Sequence, residues 1–342
     1  MSDQPDTVER LEARLAQPSP RLVADMQRVE GDIMLLGAGG KMGPTLAMLA
    51  RNALNEAGNA ADVIAVSRFS DAAVERRLTE AGVKTVSADL LDDEQLRALP
   101  DAANVIHMAA MKFGATGQEP RTWAMNTYLP GRVAERFKDS RIVAFSTGNV
   151  YPLTPLASGA PAEGDPTGPI GEYAQSCLGR ERMFEYFSHL HGTPVALLRL
   201  NYAIELRYGV LVDIALAVHE QRPLDLAMGH VNVIWQGDAN EIALRALLHC
   251  STPPTVFNVT GPETASVRSL AVRLGARMGT EPRFVGEEAS SALLNDASRS
   301  HALFGYPSVA LDTMLDWVAA WVAAGGETSG KPTKFQVRTG AF

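Results

Sequence analysis

The stretch Asp32-Ile-Met-Leu-Leu-Gly-Ala-Gly-Gly-Lys-Met-Gly-Pro44 places a short apolar run directly before a glycine-rich turn. From Pro44 to about Ala57 the apolar residues then follow a helical spacing. A strand, a tight turn and a helix in this order are typical of the first unit of a Rossmann-type domain. There the backbone N–H groups and the helix dipole receive a pyrophosphate. The same pattern is also compatible with a tight turn that binds no ligand.

The alternation of strand and helix continues along the chain. Apolar runs predict strands at Val63–Val66, Thr85–Ser87, Asn104–His107, Arg141–Phe145 and Pro194–Arg199. Helical patterns between them lie at Ala72–Ala81, Thr122–Phe137 and Tyr173–His191. Strands that alternate with helices imply a parallel, doubly wound sheet. We therefore predict an α/β fold of the Rossmann type with a smaller C-terminal substrate-binding lobe.

The organisation of the rest of the chain is less regular. We expect residues 1–30 to form a helical extension packed outside the main fold, and residues 31–202 to form the dinucleotide-binding domain. Residues 203–231 and 263–342 are expected to form the substrate-binding lobe and tail, with 232–262 returning to the sheet. Strands are expected near Val231–Ile234 and Val256–Val259. The tail after Gly325 is either a flexible end or an arm that reaches a partner subunit.

Composition narrows the classes of function. The formal charge of −8 without long Lys or Arg runs argues against nucleic acid or an anionic membrane as the partner and favours a small molecule. Cys177 and Cys250 stand in no metal-ligand spacing, so no metal site is suggested, and a reducing compartment is expected. The polar N-terminus and the lack of long apolar runs predict a soluble, cytoplasmic protein.

Several residues are candidates for binding the dinucleotide. The turn contributes Gly37, Gly40, Lys41, Met42 and Gly43. The second strand ends in Ser67-Arg68 with no acid to accept a ribose 2′-hydroxyl. Arg68 could instead pair with a 2′-phosphate, which favours NADP(H) over NAD(H), or it is a surface arginine. Asp89 and Leu90 either contact the adenine or belong to a loop in which the carboxylate caps the helix at Asp92–Leu99.

From about residue 31 to 325 the chain resembles the extended short-chain dehydrogenase/reductase superfamily, in particular its NAD-dependent epimerase/dehydratase group. His107-Met-Ala-Ala110 is similar to the family's His-x-Ala-Ala segment, and Met111-Lys112 to the lysine-bearing version in UDP-galactose 4-epimerases. Asn126 matches the family's helix asparagine, and Phe145-Ser-Thr147-Gly-Asn-Val-Tyr151 resembles Ser-Ser-x-x-Val-Tyr. Leu198-Arg-Leu-Asn201 and Phe257-Asn-Val-Thr-Gly261 resemble two later segments.

The resemblance implies roles for these residues. Thr147 and Tyr173 would be catalytic; Ala109, Ala110, Lys112, Asn126, Tyr173 and Asn201 would contact the cofactor; and Lys112, Thr147, Asn149 and Asn201 would contact the substrate. It also implies a homodimer packed through the helices that carry Asn126 and Tyr173.

One departure from the family concerns the catalytic helix, which reads Tyr173-Ala-Gln-Ser-Cys177 where the family has Tyr-x-x-x-Lys. A neutral thiol cannot lower the pKa of a tyrosine as an ammonium does. Tyr173 could still serve if the oxidised nicotinamide ring, Lys112 or Arg180 supplies positive potential. Cys177 is either an acid/base beside the ring or a small buried helix residue.

Two further departures concern the substrate. Gly148-Asn149 replaces the Asp-Glu of sugar dehydratases, and Val231 stands where nucleotide-sugar enzymes commonly carry an arginine. We therefore expect an NAD(P)-dependent oxidoreductase or epimerase that acts on a small hydroxylated substrate, such as a sugar, sugar acid or related alcohol. The alternative is a dinucleotide-binding sensor or scaffold that kept the pocket and lost the chemistry.

Overall fold

The computed structural model describes residues 4–112 and 117–341, and its centre is a seven-stranded sheet. In chain order the strands are β1 (Ile33–Leu36), β2 (Val63–Ser67), β3 (Lys84–Ser87), β4 (Asn104–His107), β5 (Arg141–Thr147), β6 (Val195–Leu200) and β7 (Thr255–Val259). Their spatial order is β7-β6-β5-β4-β1-β2-β3, and every neighbouring pair is parallel. This order confirms the predicted Rossmann-type α/β fold.

Some helices pack on the two faces of the sheet, and others form a separate apolar core. In chain order the helices are α1 (Val8–Leu15), α2 (Pro20–Met26), α3 (Gly43–Glu56), α4 (Ala72–Glu80), α5 (Asp93–Ala98), α6 (Glu119–Trp123), α7 (Leu129–Arg136), α8 (Gly171–His191), α9 (Val210–His219), α10 (Gln236–Arg245), α11 (Val267–Met278), α12 (Ser298–Phe304) and α13 (Leu311–Ala323). Along β1, Ile33 and Leu35 enter one apolar core and Met34 and Leu36 another. The strand is continuously apolar because both of its faces are covered.

The N-terminal extension is helical, but it does not lie outside the main fold. Leu11 and Leu15 of α1 are fully buried in the core formed by α9, α11 and α13. Leu22 and Met26 of α2 are fully buried against α3 and α10 on the sheet. The expectation of an outer position was wrong because the apolar stripes of these two short helices fill two different cores.

The single strand predicted near Val231–Ile234 is in fact two separate strands of two residues. His230–Val231 pairs with Ala265–Ser266, whereas Ile234–Trp235 pairs with Ala203–Ile204. Asn232, which lies between them, is buried and uses its side chain to bond the backbones of Glu263 and Asn295.

The division of the chain into a dinucleotide-binding domain and a substrate-binding lobe remains an interpretation.

The long helix α8 is fixed to the sheet by a buried ion pair. Glu181 of α8 and Arg199 of β6 are 0% and 4% exposed, and their side chains approach to 2.8 Å between Nη2 and Oε2. The Ser146 hydroxyl donates to Glu181 at 2.5 Å, and Arg199 Nη1 donates to the Tyr151 hydroxyl at 2.7 Å. Every charge in this cluster therefore has a hydrogen-bond partner, which offsets the cost of removing it from water.

We expect Arg199→Met to lower the free energy of unfolding by about 3–5 kcal/mol, because it leaves the Glu181 carboxylate buried without its cation. Arg182→Ala is the matched control, because Arg182 lies beside Glu181 on α8 but pairs with Glu185 at the surface. That change should shift stability by no more than about 0.5 kcal/mol. Urea unfolding followed by circular dichroism measures both, and equal losses would contradict the role given to the buried pair.

Candidate active site

The glycine turn between β1 and α3 is built around close backbone contacts. Gly37 has φ +92°, and a Cβ on it would lie 2.6 Å from the Ala109 nitrogen. A Cβ on Gly43 would lie 2.2 Å from the Ala38 carbonyl oxygen, and one on Gly39 would lie 2.4 Å from the Ser67 hydroxyl. These three positions exclude side chains, so the turn lies tightly between the ends of β1, β2 and β4.

A cleft of about 650 Å³ opens beside this turn at the carboxyl edge of the sheet. Ligands of open parallel sheets bind at this edge. Ten of the predicted site residues line the cleft: Gly37, Gly40, Lys41, Met42, Ala110, Lys112, Thr147, Asn149, Tyr173 and Asn201. The structure thus brings the glycine turn, Thr147 and Tyr173 into one space.

Eight other predicted residues do not line the cleft: Gly43, Ser67, Arg68, Asp89, Leu90, Ala109, Asn126 and Cys177. Arg68 is exposed just after β2. The Asp89 carboxylate accepts a hydrogen bond from the Leu91 nitrogen, whereas the cap of α5 is Asp92. Leu90 is buried in the sheet core. Contacts of these residues with an adenine or a 2′-phosphate remain predictions.

Asn126 is held entirely by protein groups. The helix predicted at Thr122–Phe137 is interrupted by a π-helical turn at Ala124–Tyr128 that contains this residue. Its side chain bonds both backbone groups of Met111, accepting at 2.8 Å and donating at 2.9 Å, and it accepts at 3.0 Å from Arg180. Single π-helical turns within α-helices occur frequently at functional sites. Asn126 fixes the chain next to Lys112, so its geometry is that of a positioning residue.

Tyr173 lies near the start of α8 and is 8% exposed. Burial raises its pKa well above the usual value, and the Cys177 thiol acts in the same direction. Arg180 and a hydrogen bond with Thr147 oppose the rise. The phenol is therefore protonated at neutral pH in the protein alone, and it needs positive potential to become a base.

Cys177 packs in a small apolar cluster with Val150, Tyr151 and Tyr173. Its side chain is fully buried, and burial raises the pKa of the thiol. A neutral thiol supplies no positive charge. What Cys177 contributes is a hydrogen bond with Tyr173.

Two cations stand near Tyr173, as the sequence suggested. Lys112 Nζ lies 5.9 Å from the centroid of the Tyr173 ring, and burial lowers the pKa of Lys112 to about 8. Arg180 is buried one helical turn beyond Cys177, and it donates to the Phe145 carbonyl oxygen at 2.6 Å. The two cations come from different parts of the fold. Lys112 lies in the segment after β4, and Arg180 lies on α8.

Charged residues line the cleft beyond the predicted catalytic residues, and Lys41 of the glycine turn is one of them. Lys41 is exposed at the turn, but its ammonium reaches inward, donating to the Ala203 carbonyl oxygen at 3.3 Å and lying 3.7 Å from the Tyr208 ring centroid. Burial of this ammonium lowers the pKa of Lys41 to about 7, although the Glu205 carboxylate opposes the shift. The cleft is thus polar well beyond Thr147 and Tyr173.

Arg207 is the centre of an ion-pair chain along the same wall. It pairs with Glu205 at 3.1 Å and with Glu12 at 2.9 Å, and Glu12 also pairs with Arg77 at 2.5 Å. Glu12 belongs to the N-terminal extension and lines the cleft. No motif marks these residues in the sequence, because the chain brings them together from three distant segments.

The tail folds back over its own chain, which neither alternative for it had anticipated. The Ser329 nitrogen donates to the Arg207 carbonyl oxygen at 2.9 Å, and the Thr333 nitrogen donates to Asp213 at 2.7 Å. Farther along, Arg338 donates to the Ser291 carbonyl oxygen at 2.7 Å. Glu327, Ser329, Lys331 and Thr333 line the cleft. The tail is therefore part of the site.

A Rossmann sheet whose glycine turn opens on a cleft at the carboxyl edge of the strands is typical of dinucleotide-binding proteins. The model of the NAD dependent epimerase/dehydratase family matches residues 33–204, about half of the chain, and the chain belongs to this family. It is thus an enzyme of the epimerase type. The alternative of a sensor or scaffold finds no support in this match. None of the curated proteins compared with the sequence matches it.

Solved structures share the fold at low sequence identity. Epimerase Mth375 from Methanothermobacter thermautotrophicus has a TM-score of 0.73 at 18% identity, over 90% of this chain and 97% of that one. UDP-glucuronic acid 4-epimerase from Bacillus cereus, in complex with NAD, has a TM-score of 0.71 at 19% identity, over 85% and 96%. UDP-glucose 4-epimerase from Thermotoga maritima, with UDP-glucose, has a TM-score of 0.69 at 18% identity, over 86% and 99%.

We expect Gly40→Ala to weaken binding of NADPH and NADH by about tenfold or more, because a Cβ would stand where backbone N–H groups must approach a pyrophosphate. The new Cβ would come no closer than 3.4 Å to the protein, so the fold should tolerate it. Gly164→Ala is the control, since a Cβ there meets nothing within 4 Å. Fluorescence titration measures affinity, and unchanged nucleotide affinity in Gly40→Ala would argue against a pyrophosphate at this turn.

Proposed function

We propose that this protein is an NAD(P)-dependent oxidoreductase or epimerase that transfers hydride to or from a small hydroxylated substrate, such as a sugar, sugar acid or related alcohol. The observation that carries the proposal is that Thr147, Tyr173 and Lys112 line the same cleft as the glycine turn. The bound nicotinamide would supply the hydride acceptor or donor. A titration with NADPH, NADH and their oxidised forms, followed by a screen of polyols and sugar acids for nicotinamide absorbance, tests it.

The proton chemistry belongs to Tyr173 and Thr147. Thr147 is buried at the end of β5, and its hydroxyl bonds Tyr173 and the Asn149 side chain. We assign to Thr147 the hydrogen bond that holds the reacting oxygen of the substrate. Tyr173, protonated at neutral pH, donates its proton to this oxygen when the substrate is reduced. In the opposite direction, Lys112 and Arg180 supply the positive potential that the missing helix lysine would give.

The substrate is proposed to be smaller than a nucleotide sugar. Val231 stands where an arginine would grip a diphosphate, and its side chain is fully buried in the core of the C-terminal lobe. An apolar residue in such a position offers no charge to a phosphate. Asn149 and Asn201 remain in the cleft as hydrogen-bonding groups for hydroxyls.

Further features of the assembly are proposals too. Trp123, Tyr128, Tyr186 and Leu190 are exposed large apolar residues on α6, the π turn and α8. Their exposure supports a homodimer packed through these helices. Within the part of the chain that the structure describes, no helix has both the length and the apolar character to cross a membrane. A cytoplasmic location remains an expectation.

The preference for NADP(H) rests on Arg68. We expect Arg68→Ala to raise the Kd of NADPH about tenfold or more and to leave the Kd of NADH unchanged, because only NADPH carries the 2′-phosphate. Arg76→Ala is the control, since Arg76 is an exposed arginine on the neighbouring helix α4. Calorimetric titration of each variant with both nucleotides measures the effect. Equal losses for NADPH and NADH would remove the assignment of Arg68 to a 2′-phosphate.

The role of Lys112 predicts a pH dependence. Because burial lowers the pKa of Lys112 to about 8, its charge is present below that pH and is lost above it. We expect oxidation of the alcohol that the screen identifies to slow as pH rises through about 8. Lys112→Ala should reduce turnover about tenfold to a hundredfold and abolish this alkaline decline. Lys138→Ala, at an exposed lysine after α7, should change neither. If the alkaline decline persisted in Lys112→Ala, the decline would have to arise from the titration of another group.

A further inference from the structure

A smaller pocket of about 320 Å³ lies between α9 and the tail. It borders the main cleft, since four residues line both spaces: Arg207, Tyr208, Ser329 and Lys331. The tail therefore stands between the cleft and this side pocket. Lys331 lines the same cleft as Thr147 and Tyr173, so a substrate whose reacting carbon lies at that pair shares one space with the Lys331 side chain.

The tail is held firmly on both sides of Lys331, which lines both the cleft and the side pocket. The backbone bond from Ser329 to Arg207 lies before Lys331, and Thr333, which is 2% exposed, is bonded to Asp213 after it. The Thr333 hydroxyl adds a second bond to the same Asp213 oxygen at 2.5 Å. Between these anchors stands Gly330-Lys331-Pro332, so the backbone that carries Lys331 is fixed at the boundary.

The charges at this boundary favour an anion. Arg207 is already paired with Glu205 and Glu12. Lys331 is different, because no described residue forms an ion pair with its exposed ammonium. Acids also line the two spaces, but cationic residues outnumber them. The cations are Lys41, Arg77, Lys112, Arg180, Arg207, Arg222 and Lys331, and the acids are Glu12, Glu205, Asp213, Asp225 and Glu327. In a chain with a net charge of −8 this is a local reversal of sign.

We propose that Lys331, presented by the tail, is a specificity-determining residue that binds a carboxylate on the non-reacting end of the substrate. The inference deepens the proposed function and rests on it: among hydroxylated substrates, it selects the sugar acids. The family model ends at residue 204, so this contact lies outside the region that defines the family. The tail, which the sequence left without a role, thereby becomes part of substrate recognition.

The test compares two probes that differ by one carboxylate, D-galacturonate and D-galactose. Each is titrated calorimetrically into the protein saturated with NADPH or NADH, whichever binds more tightly, so that the bound sugar has no hydride acceptor. We expect galacturonate to bind at least about tenfold more tightly than galactose. Lys331→Gln should remove this preference by weakening galacturonate about tenfold while leaving galactose unchanged.

Lys334→Gln is the matched control, because Lys334 lies on the same tail but does not line the cleft. It should keep the preference for galacturonate. A preference that survives in Lys331→Gln, or that is lost equally in Lys334→Gln, overturns the assignment of Lys331. Binding of neither sugar, or equal binding of both, to the nucleotide-loaded protein also overturns it and leaves the dinucleotide site intact. Failure to bind any nicotinamide nucleotide would overturn the proposed function itself.

Discussion

The buried pair of Glu181 and Arg199 is the interaction on which the geometry of the site depends. It joins α8 to β6, and hydrogen bonds from Ser146 and to Tyr151 extend it to β5 and the loop that follows. Two charges withdrawn from water are stable only when every donor and acceptor is used. That requirement fixes the rotation of α8 about its axis, and with it the direction in which Tyr173 faces, two helical turns before Glu181.

The missing helix lysine shows how the site distributes positive charge. Lys112 comes from the segment after β4 and Arg180 from the interior of α8, and both lie near the same phenol. A charge that comes from a separate segment acts only if that segment is held in place. Asn126 provides this hold, because its amide bonds the backbone next to Lys112 and also accepts from Arg180. The π turn that carries Asn126 is thus part of the arrangement around Tyr173.

The two ends of the chain give the cleft its individual character. Glu12 from the N-terminal extension and Lys331 from the tail line a cleft whose floor is a Rossmann sheet. In folds of this kind function depends on the site and not on the sheet alone, so we expect the segments around the cleft to influence which molecule it binds.

The sequence by itself determined the sheet, the order of its helices and the glycine turn, because these depend on local periodicity and on backbone positions that exclude a side chain. It also singled out Thr147, Tyr173 and Lys112 by short segments with a recognisable pattern; the structure places them in one cleft, and their roles stay predictions. Only the tertiary structure decided that α1 enters the core, that Val231–Ile234 forms two strands, and that the tail lines the cleft. The physical reason is that ion pairs and hydrogen bonds such as Glu12–Arg207 and Thr333–Asp213 join residues more than a hundred positions apart, and no local pattern records them.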